Sequence, residues 1–109
     1  MNFQALNLNI PNSQIIDIRL PSEWIETGIL EGSKLITYEM PNGKINPMFL
    51  ALVEQNFAKN DKIVLICRTG NRTKRAIKFL KDNGFSDVSD ISGGVYNYQR
   101  LGVKFVPYQ

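Results

Sequence analysis

The most informative segment of this 109-residue chain is residues 62–73, with the sequence KIVLICRTGNRT. It starts with an almost wholly apolar run, Lys62–Ile66, of the kind that forms a central parallel strand covered on both faces. Cys67 follows directly. The next few residues are typical of a turn, and the apolar spacing of residues 72–83 predicts a helix that ends at Gly84. The segment therefore predicts a strand, a loop and a helix, with a thiol at the carboxyl end of the strand.

Hydrophobic patterns on both sides of this segment predict further strands and helices. Strands are predicted at residues 14–18, 34–38 and 88–91. Helices are predicted at residues 21–27, 47–57 and 95–101. Strands that alternate with helices predict an α/β domain with a mainly parallel sheet, in which ligands bind beyond the carboxyl ends of the strands. The tail residues Phe105, Val106 and Tyr108 are expected to pack on the domain or on a neighbour.

The composition excludes several kinds of chemistry. Hydrophobic residues make up 43% and charged residues 21% of the chain, as in an ordinary globular domain. Histidine is absent, and Cys67 is the one cysteine. A Ser-His-Asp triad, a Cys-His pair, an intramolecular disulfide and a Cys/His zinc site are therefore excluded. We expect no metal and no cofactor.

Positive charge is concentrated around the cysteine, although the net charge of the chain is only +3. Residues 59–81 contain eight Lys and Arg side chains and one acid, Asp61, and so carry +7. The rest of the chain carries five basic and nine acidic residues, or −4. Such a focus can attract an anion or an acidic partner protein. The alternative is an ordinary solvated helix face.

The loop after Cys67 is suited to activating a thiol without histidine. Six backbone N–H groups lie between the thiol and the body of the helix, those of Arg68, Thr69, Gly70, Asn71, Arg72 and Thr73. If the loop curls, we expect these groups to converge near the sulfur, together with the positive end of the helix. Gly70 permits the left-handed backbone that the curl requires, and Asn71 tolerates it or caps the helix. Such surroundings favour a thiolate, so Cys67 is predicted to be a nucleophile rather than a small buried hydrophobe.

Four motifs in the same order resemble those of the single-domain rhodaneses, a family of sulfurtransferases, over about residues 15–107. They are IIDIR (residues 15–19) with PSEW (21–24), GI (28–29) with GS (32–33), CRTGNRT (67–73), and ISGGV (91–95) with Tyr98 and Gly102. Many members carry a histidine in the second motif that this chain lacks, but that residue is not part of the sulfur chemistry. The resemblance implies a three-layer domain over residues 1–109, with a mainly parallel sheet of about five strands flanked by helices.

The resemblance also implies a reaction. Cys67 would take a sulfane sulfur from a small sulfur-containing anion such as thiosulfate, or from a persulfide donor, and pass it to a thiol or cyanide. Arg68 and Arg72 would hold the anionic donor or order the loop. Asp17 and Arg19 belong to a D-x-R motif that lies near the loop in related proteins. Asp17 could pair there with Arg72, and the alternative for both residues is a structural role at the strand end.

Two other functions stay open on the sequence. Cys-based phosphatases and arsenate reductases use a similar anion cradle, but with five residues between Cys and Arg, whereas four separate Cys67 from Arg72 here. The tighter loop suits one sulfur atom better than a phosphoryl group. The other possibility is a rhodanese-like module that binds or regulates partners without catalysis. Members of that kind usually lose the cysteine, which this chain keeps.

The last expectations concern partners and location. With one cysteine in the chain, the sulfur acceptor must be external, either a small thiol or a protein. Aromatic residues such as Tyr96 and Tyr98 lie outside the basic segment, so no nucleic-acid partner is expected. No membrane association is expected, because the longest apolar run covers only residues 63–67 and residues 1–11 lack a signal-peptide pattern. An unpaired cysteine favours the cytoplasm.

Overall fold

The computed structural model describes residues 10–108, in which strands and helices alternate along the chain. The strands are β1 (Ile15–Asp17), β2 (Lys34–Leu35), β3 (Lys62–Ile66) and β4 (Asp87–Asp90). The helices are α1 (Pro21–Thr27), α2 (Phe49–Asn56), α3 (Asn71–Asp82) and α4 (Gly94–Arg100). Within the described residues, no helix is both long enough and apolar enough to cross a bilayer. Residues 1–9, which contain most of the segment tested for a signal peptide, lie outside this description.

The four strands form one parallel sheet in the order β2-β1-β3-β4. Ile16 of β1 lies opposite Lys34 on one side and Leu65 on the other, and Ile63 of β3 lies opposite Val88. Because all strands run in the same direction, their carboxyl ends share one edge of the sheet. Cys67 follows the central strand β3 at that edge, which is where parallel α/β sheets bind ligands.

The sheet is covered on both faces, because alternate residues of a strand point to opposite sides. Ile63 and Leu65 belong to one buried apolar cluster, and Val64 and Ile66 to the other. The first cluster continues into α2 and α3 through Phe49, Val53, Ala76 and Leu80. The second continues into α4 and the carboxyl-terminal tail through Val95, Tyr98, Val103 and Phe105. The predicted three-layer α/β architecture is thus confirmed.

The predicted number of about five strands is wrong for the described residues, which form four. Other extended segments meet only as isolated antiparallel bridges, one between Ile29 and Val106 and one between Glu39 and Ile45. Each of these bridges is a single pair, so neither segment adds a ladder to the parallel sheet.

The predicted boundaries match the structure best in the centre of the sheet. The strand predicted from Lys62–Ile66 has those same bounds, and α3 starts one residue before its prediction. Of the strand predicted at residues 34–38, only the first two residues, Lys34 and Leu35, pair as a regular strand. Beyond them, the Ile36 amide donates to the carbonyl of Asp17, the last residue of β1, at 3.0 Å, and the Tyr38 amide donates to that of Ile18 at 3.1 Å. This outer strand has a neighbour on one side only, so its pairing becomes irregular sooner.

The carboxyl-terminal tail packs on its own domain, the first of the two predicted arrangements. Val106 exchanges two backbone hydrogen bonds of 2.8 Å with Ile29, just after α1. The ring of Tyr108 meets Trp24 of α1 edge to face, with 5.4 Å between centroids. The tail therefore holds α1 against the rest of the fold.

Candidate active site

The sulfur of Cys67 lies beneath the loop that joins β3 to α3. The residue is 1% exposed, and its Sγ accepts a hydrogen bond of 3.1 Å from the Gly70 amide. Thr73 Oγ1 lies 3.9 Å from Sγ. The sequence predicted that six loop amides would converge on the sulfur. Among the described residues, only the Gly70 amide donates a hydrogen bond to the sulfur, and the amides of Asn71, Arg72 and Thr73 lie in the first turn of α3.

Gly70 makes the turn that brings its own amide back to the sulfur. Its φ of 107° lies in the left-handed region that glycine adopts without a steric penalty, and it occupies the N-cap position of α3. The left-handed backbone predicted at Gly70 is therefore present. Asn71, which was expected to share this conformation or to cap the helix, is instead the first residue of α3. No non-glycine residue in the described range has a positive φ.

Arg72 ties the loop to α1 through a two-point ion pair with Glu23. Its Nη1 and Nη2 donate to Glu23 Oε1 and Oε2 at 2.7 and 2.8 Å, and both side chains are less than one-fifth exposed. Burial acts to raise the pKa of Glu23, but the hydrogen bonds from Arg72 and the Leu20 amide outweigh it and hold the pKa below its ordinary value. The hydrogen bonds that Arg72 donates to Glu23 raise the pKa of Arg72. This pair holds the loop in place.

Asp17 and Arg19 pair with each other, so the predicted pairing of Asp17 with Arg72 is wrong. Both are 1% exposed, and Arg19 Nε and Nη2 donate to the two carboxylate oxygens of Asp17 at 2.9 and 2.8 Å. Arg19 also donates to Thr27 Oγ1 at 2.7 Å and to the Gly28 carbonyl at 2.9 Å. Asp17 and Arg19 are only two residues apart at the end of β1, so their ion pair requires no contact with a segment distant in sequence. They join β1 to the end of α1, a structural role.

Thr73 connects the start of α3 to the end of β4. Its buried Oγ1 lies 2.6 Å from Asp90 Oδ2 and 3.0 Å from the Gly70 carbonyl. Lys74 Nζ donates to the same Asp90 oxygen at 3.0 Å. The position of Thr73 beside the sulfur therefore depends on Asp90, which lies at the carboxyl edge of the neighbouring strand.

Sequence reasoning missed two residues that hold the loop, Glu23 and Asp90. Glu23 was noted only as part of a motif, although an acid in the first turn of a helix beside a D-x-R strand end is well placed to meet an arginine. Asp90 lies within the strand predicted at residues 88–91 and is the last residue of β4. The rule that parallel strands end at one edge could have placed it near Cys67.

The fold neutralises much of the basic segment, residues 59–81. Five of its eight basic side chains form ion pairs, and every partner lies outside the segment. The pairs are Lys59–Glu54, Arg72–Glu23, Lys74–Asp90, Arg75–Glu39 and Lys78–Asp82. Arg68, which is exposed and adjacent to Cys67, has no ion pair within residues 10–108. Thr69 is also exposed.

The geometry suits a thiol that carries an anionic group and is shielded from bulk water. An amide N–H points at the sulfur, and the exposed Arg68, with no ion pair in the part of the chain that the structure describes, is the next residue along the chain. In residues 10–108, no group of three or more His, Cys, Asp or Glu side chains is placed to hold a metal ion.

The sequence profile of the rhodanese-like domain matches residues 4–101. The chain is 31% identical over 103 residues to thiosulfate sulfurtransferase 16, chloroplastic, of Arabidopsis thaliana, covering 91% of this chain and 84% of that protein. It is 35% identical over 106 residues to a tRNA uridine(34) hydroxylase of Escherichia coli O1:K1 / APEC, covering 91% of this chain but 29% of that protein. It spans 44% or less of the length of several other curated relatives.

The fold is shared with solved structures as well. The crystal structure of a rhodanese-related protein from Thermoplasma volcanium matches with a TM-score of 0.73 at 25% identity, covering 97% of this chain and 95% of that one. The resemblance predicted from the four motifs is thus confirmed by a profile that spans most of the residues and by the shared architecture. The chain belongs to the rhodanese-like domain family.

Proposed function

We propose that the chain is a sulfurtransferase that moves a sulfane sulfur from thiosulfate or a persulfide donor to a thiol or cyanide through a persulfide on Cys67. The observation that carries the proposal is the hydrogen bond from the Gly70 amide to the buried Cys67 sulfur. In this proposal, residues 1–109 form one catalytic domain. A cytoplasmic location belongs to the same proposal, because it rests on the unpaired thiol.

In the first half-reaction, the Cys67 thiolate attacks the outer sulfur of thiosulfate. A new sulfur–sulfur bond forms on Cys67, the sulfur–sulfur bond of thiosulfate breaks, and its electron pair leaves with sulfite. In the second half-reaction, an acceptor thiolate or cyanide attacks the outer sulfur of the persulfide. The Cys67 thiolate leaves with the electron pair of the broken bond, so the cycle needs no external oxidant or reductant.

The loop residues have separate parts in this proposal. Thr69 and Gly70 form the turn over the sulfur, Asn71 begins the helix that follows, and the Gly70 amide stabilises negative charge on the sulfur. Arg72 is fully engaged by Glu23 and therefore positions the loop. Arg68 has no ion pair within the described residues and is the cation available to the anionic donor.

Sulfur uptake can be tested directly by intact mass. Wild-type protein incubated with thiosulfate should gain one sulfur, mapped to Cys67, and should lose it to cyanide with formation of thiocyanate. The matched control is Cys67→Ser, which removes the one thiol of the chain and should show neither step. Full thiosulfate–cyanide activity in Cys67→Ser would overturn the proposal.

The same preparations separate the two alternatives. A partner-binding module without catalysis would take up no sulfur, although the loop is intact. A Cys-based phosphatase would turn over a chromogenic phosphate ester in the wild type but not in Cys67→Ala. Either result would replace sulfur transfer as the proposed function.

A further inference from the structure

A cavity of about 150 Å³ lies between α1 and α4, next to the loop of Cys67. Its charged residues are Glu23 and Glu26 from α1, Arg68 from the loop, and Arg19, which is paired with Asp17, and α4 contributes Tyr96 and Gln99 to the opposite wall. The volume is about half the lower limit of roughly 300 Å³ typical of drug-sized ligands. It has room for a molecule about the size of one amino acid.

Two opposite charges in this cavity have no partner among the described residues. Glu23 is committed to Arg72. The Glu26 carboxylate and the Arg68 guanidinium, by contrast, form no ion pair or hydrogen bond within residues 10–108, and both are exposed. A ligand with one negative and one positive group would satisfy both of them at once. A purely anionic ligand, such as the proposed thiosulfate donor, would engage Arg68 alone and leave Glu26 unpaired.

The first turn of α4, which forms one wall of the cavity, is hydrogen-bonded to the backbone of the reactive cysteine and of the residue after it. The Val95 amide donates to the Cys67 carbonyl at 2.8 Å, and the Tyr96 amide donates to the Arg68 carbonyl at 3.1 Å. Glu23, on the opposite wall, holds the same loop through Arg72. A small molecule bound here therefore lies beside the loop that covers the sulfur.

We propose that this cavity binds a zwitterionic amino thiol of the size of cysteine as the sulfur acceptor, with its carboxylate at Arg68 and its ammonium group at Glu26. This inference rests on the proposed sulfur transfer and names its acceptor class. The acceptor loses its thiol proton to solvent, and its thiolate attacks the outer sulfur of the Cys67 persulfide. The bond from that sulfur to Cys67 Sγ breaks, Cys67 leaves as a thiolate, and the amino thiol leaves as a persulfide.

The contributions of the proposed contacts to Arg68 and to Glu26 can be measured separately with three small thiols that differ in their charged groups. Cysteine carries both groups, 3-mercaptopropionate only the carboxylate, and 2-aminoethanethiol only the ammonium group. The rate of sulfur transfer from the thiosulfate-loaded protein is measured for each thiol in the wild type and in Glu26→Gln. Comparing wild type with variant for each thiol cancels the intrinsic reactivities of the thiols.

Glu26→Gln should lower kcat/KM for cysteine relative to 3-mercaptopropionate by about two- to fivefold, the range of a partly exposed ion pair. The loss should appear mainly in KM, because the contact is to a group remote from the sulfur. The matched control is Glu31→Gln, which removes an exposed carboxylate just before β2, at the opposite edge of the sheet. It should leave the wild-type ratio unchanged. An unchanged ratio in Glu26→Gln overturns the proposed acceptor class.

A binding measurement keeps this test separate from that of sulfur transfer. Serine has the charged groups of cysteine and a hydroxyl in place of the thiol. NMR titration of the unloaded protein with serine should shift the amide signals of Glu26, Arg68 and Gln99, and Glu26→Gln should weaken the shifts. Sulfur uptake at Cys67 without such shifts refutes the cavity assignment alone. If Cys67 takes up no sulfur from thiosulfate, the proposed function itself fails.

Discussion

The environment of Cys67 is built from three segments distant in sequence. Gly70 and Thr73 lie in the loop and the first turn of α3, whereas Glu23 and Asp90 reach the loop from α1 and β4. Cys67 and Gly70 could be selected from the sequence, because a thiol after a buried strand and a glycine in a tight turn are local patterns. The carboxylates could not be selected in the same way, since their role depends on what folds against them.

Replacing Glu23 tests whether its ion pair holds the loop. Glu23→Gln leaves the mostly buried Arg72 guanidinium without a counter-charge and should lower the free energy of unfolding by about 1 to 3 kcal/mol. It should also slow sulfur uptake by Cys67. Denaturant unfolding and intact mass measure the two effects. The control is Glu26→Gln on the same helix, which has no ion pair among the described residues and should change stability by less than about 0.5 kcal/mol.

The stability difference between the wild type and Glu23→Gln should depend on pH, because the pKa of Glu23 is lowered in the folded state. The stabilisation is fully present above the pKa that Glu23 has in the unfolded chain. It is lost as the pH falls through the lower pKa of the folded state. The difference in stability between the wild type and Glu23→Gln should therefore start to shrink as the pH falls towards about 4, near the ordinary pKa of Glu, and should vanish only below the lowered pKa of the folded state. A difference that persists undiminished into strong acid would contradict this assignment.

At the scale of elements, α4 packs its first turn against the backbone of the active-site loop. A Cβ atom on Gly94 would lie 2.7 Å from the Arg68 carbonyl oxygen and closer still to that of Cys67, and the φ of Gly94 is +65°. Only glycine permits this approach, because the atoms in the way are backbone atoms that cannot move aside. Gly102, after the same helix, has a φ of +86° but no atom within 4 Å of a Cβ.

These two glycines form a matched pair. Gly102→Ala should cost only the left-handed strain, about 1 to 2 kcal/mol. Gly94→Ala should cost more, because α4 must move away from the loop, and should reduce sulfur uptake at Cys67 as well. Denaturant unfolding of both variants tests whether Gly94→Ala loses more stability than Gly102→Ala, and a sulfur-uptake assay tests whether it also loses activity. Equal losses of stability would show that α4 does not need to approach the loop so closely.

The elements themselves were predictable to different degrees. Lys62–Ile66 and α3 were placed within a residue, because a continuous apolar run and a 3.6-residue repeat are strong local signals. The short outer strand β2 was predicted too long. Its extent is set by pairing with β1, and an apolar alternating sequence does not reveal where pairing stops.

At the scale of the whole molecule, the fold spreads charge that the sequence concentrates. The +7 of residues 59–81 meets five carboxylates from the remaining, acidic part of the chain. Lys74, Arg75 and Lys78 are more than half exposed, so their ion pairs contribute little to stability. They nevertheless weaken the field expected to attract an acidic partner. Arg68, which follows Cys67 directly in the chain, keeps its charge without an ion pair among residues 10–108.

The tail supplies a whole-molecule test, because it holds α1 from the far end of the chain. Tyr108→Ala removes the ring contact to Trp24 and should lower stability by about 0.5 to 1.5 kcal/mol. Trp24 is the one tryptophan and is 5% exposed, so its fluorescence should shift to longer wavelength. The control is Tyr96→Ala, because Tyr96 is 66% exposed. Unshifted emission in Tyr108→Ala would contradict the packing of the tail on α1.

Local sequence was sufficient for the α/β class, for β3 and α3, and for the candidate nucleophile Cys67. These features depend on neighbours along the chain: apolar runs, helical repeats and a glycine that permits a left-handed turn. The partner of Arg72 lies 49 residues away, and the cavity forms only where α1 and α4 face each other. The order of parallel strands brings these parts to one edge of the sheet. Ion pairs and cavities depend on distances through space, which only the packed fold defines.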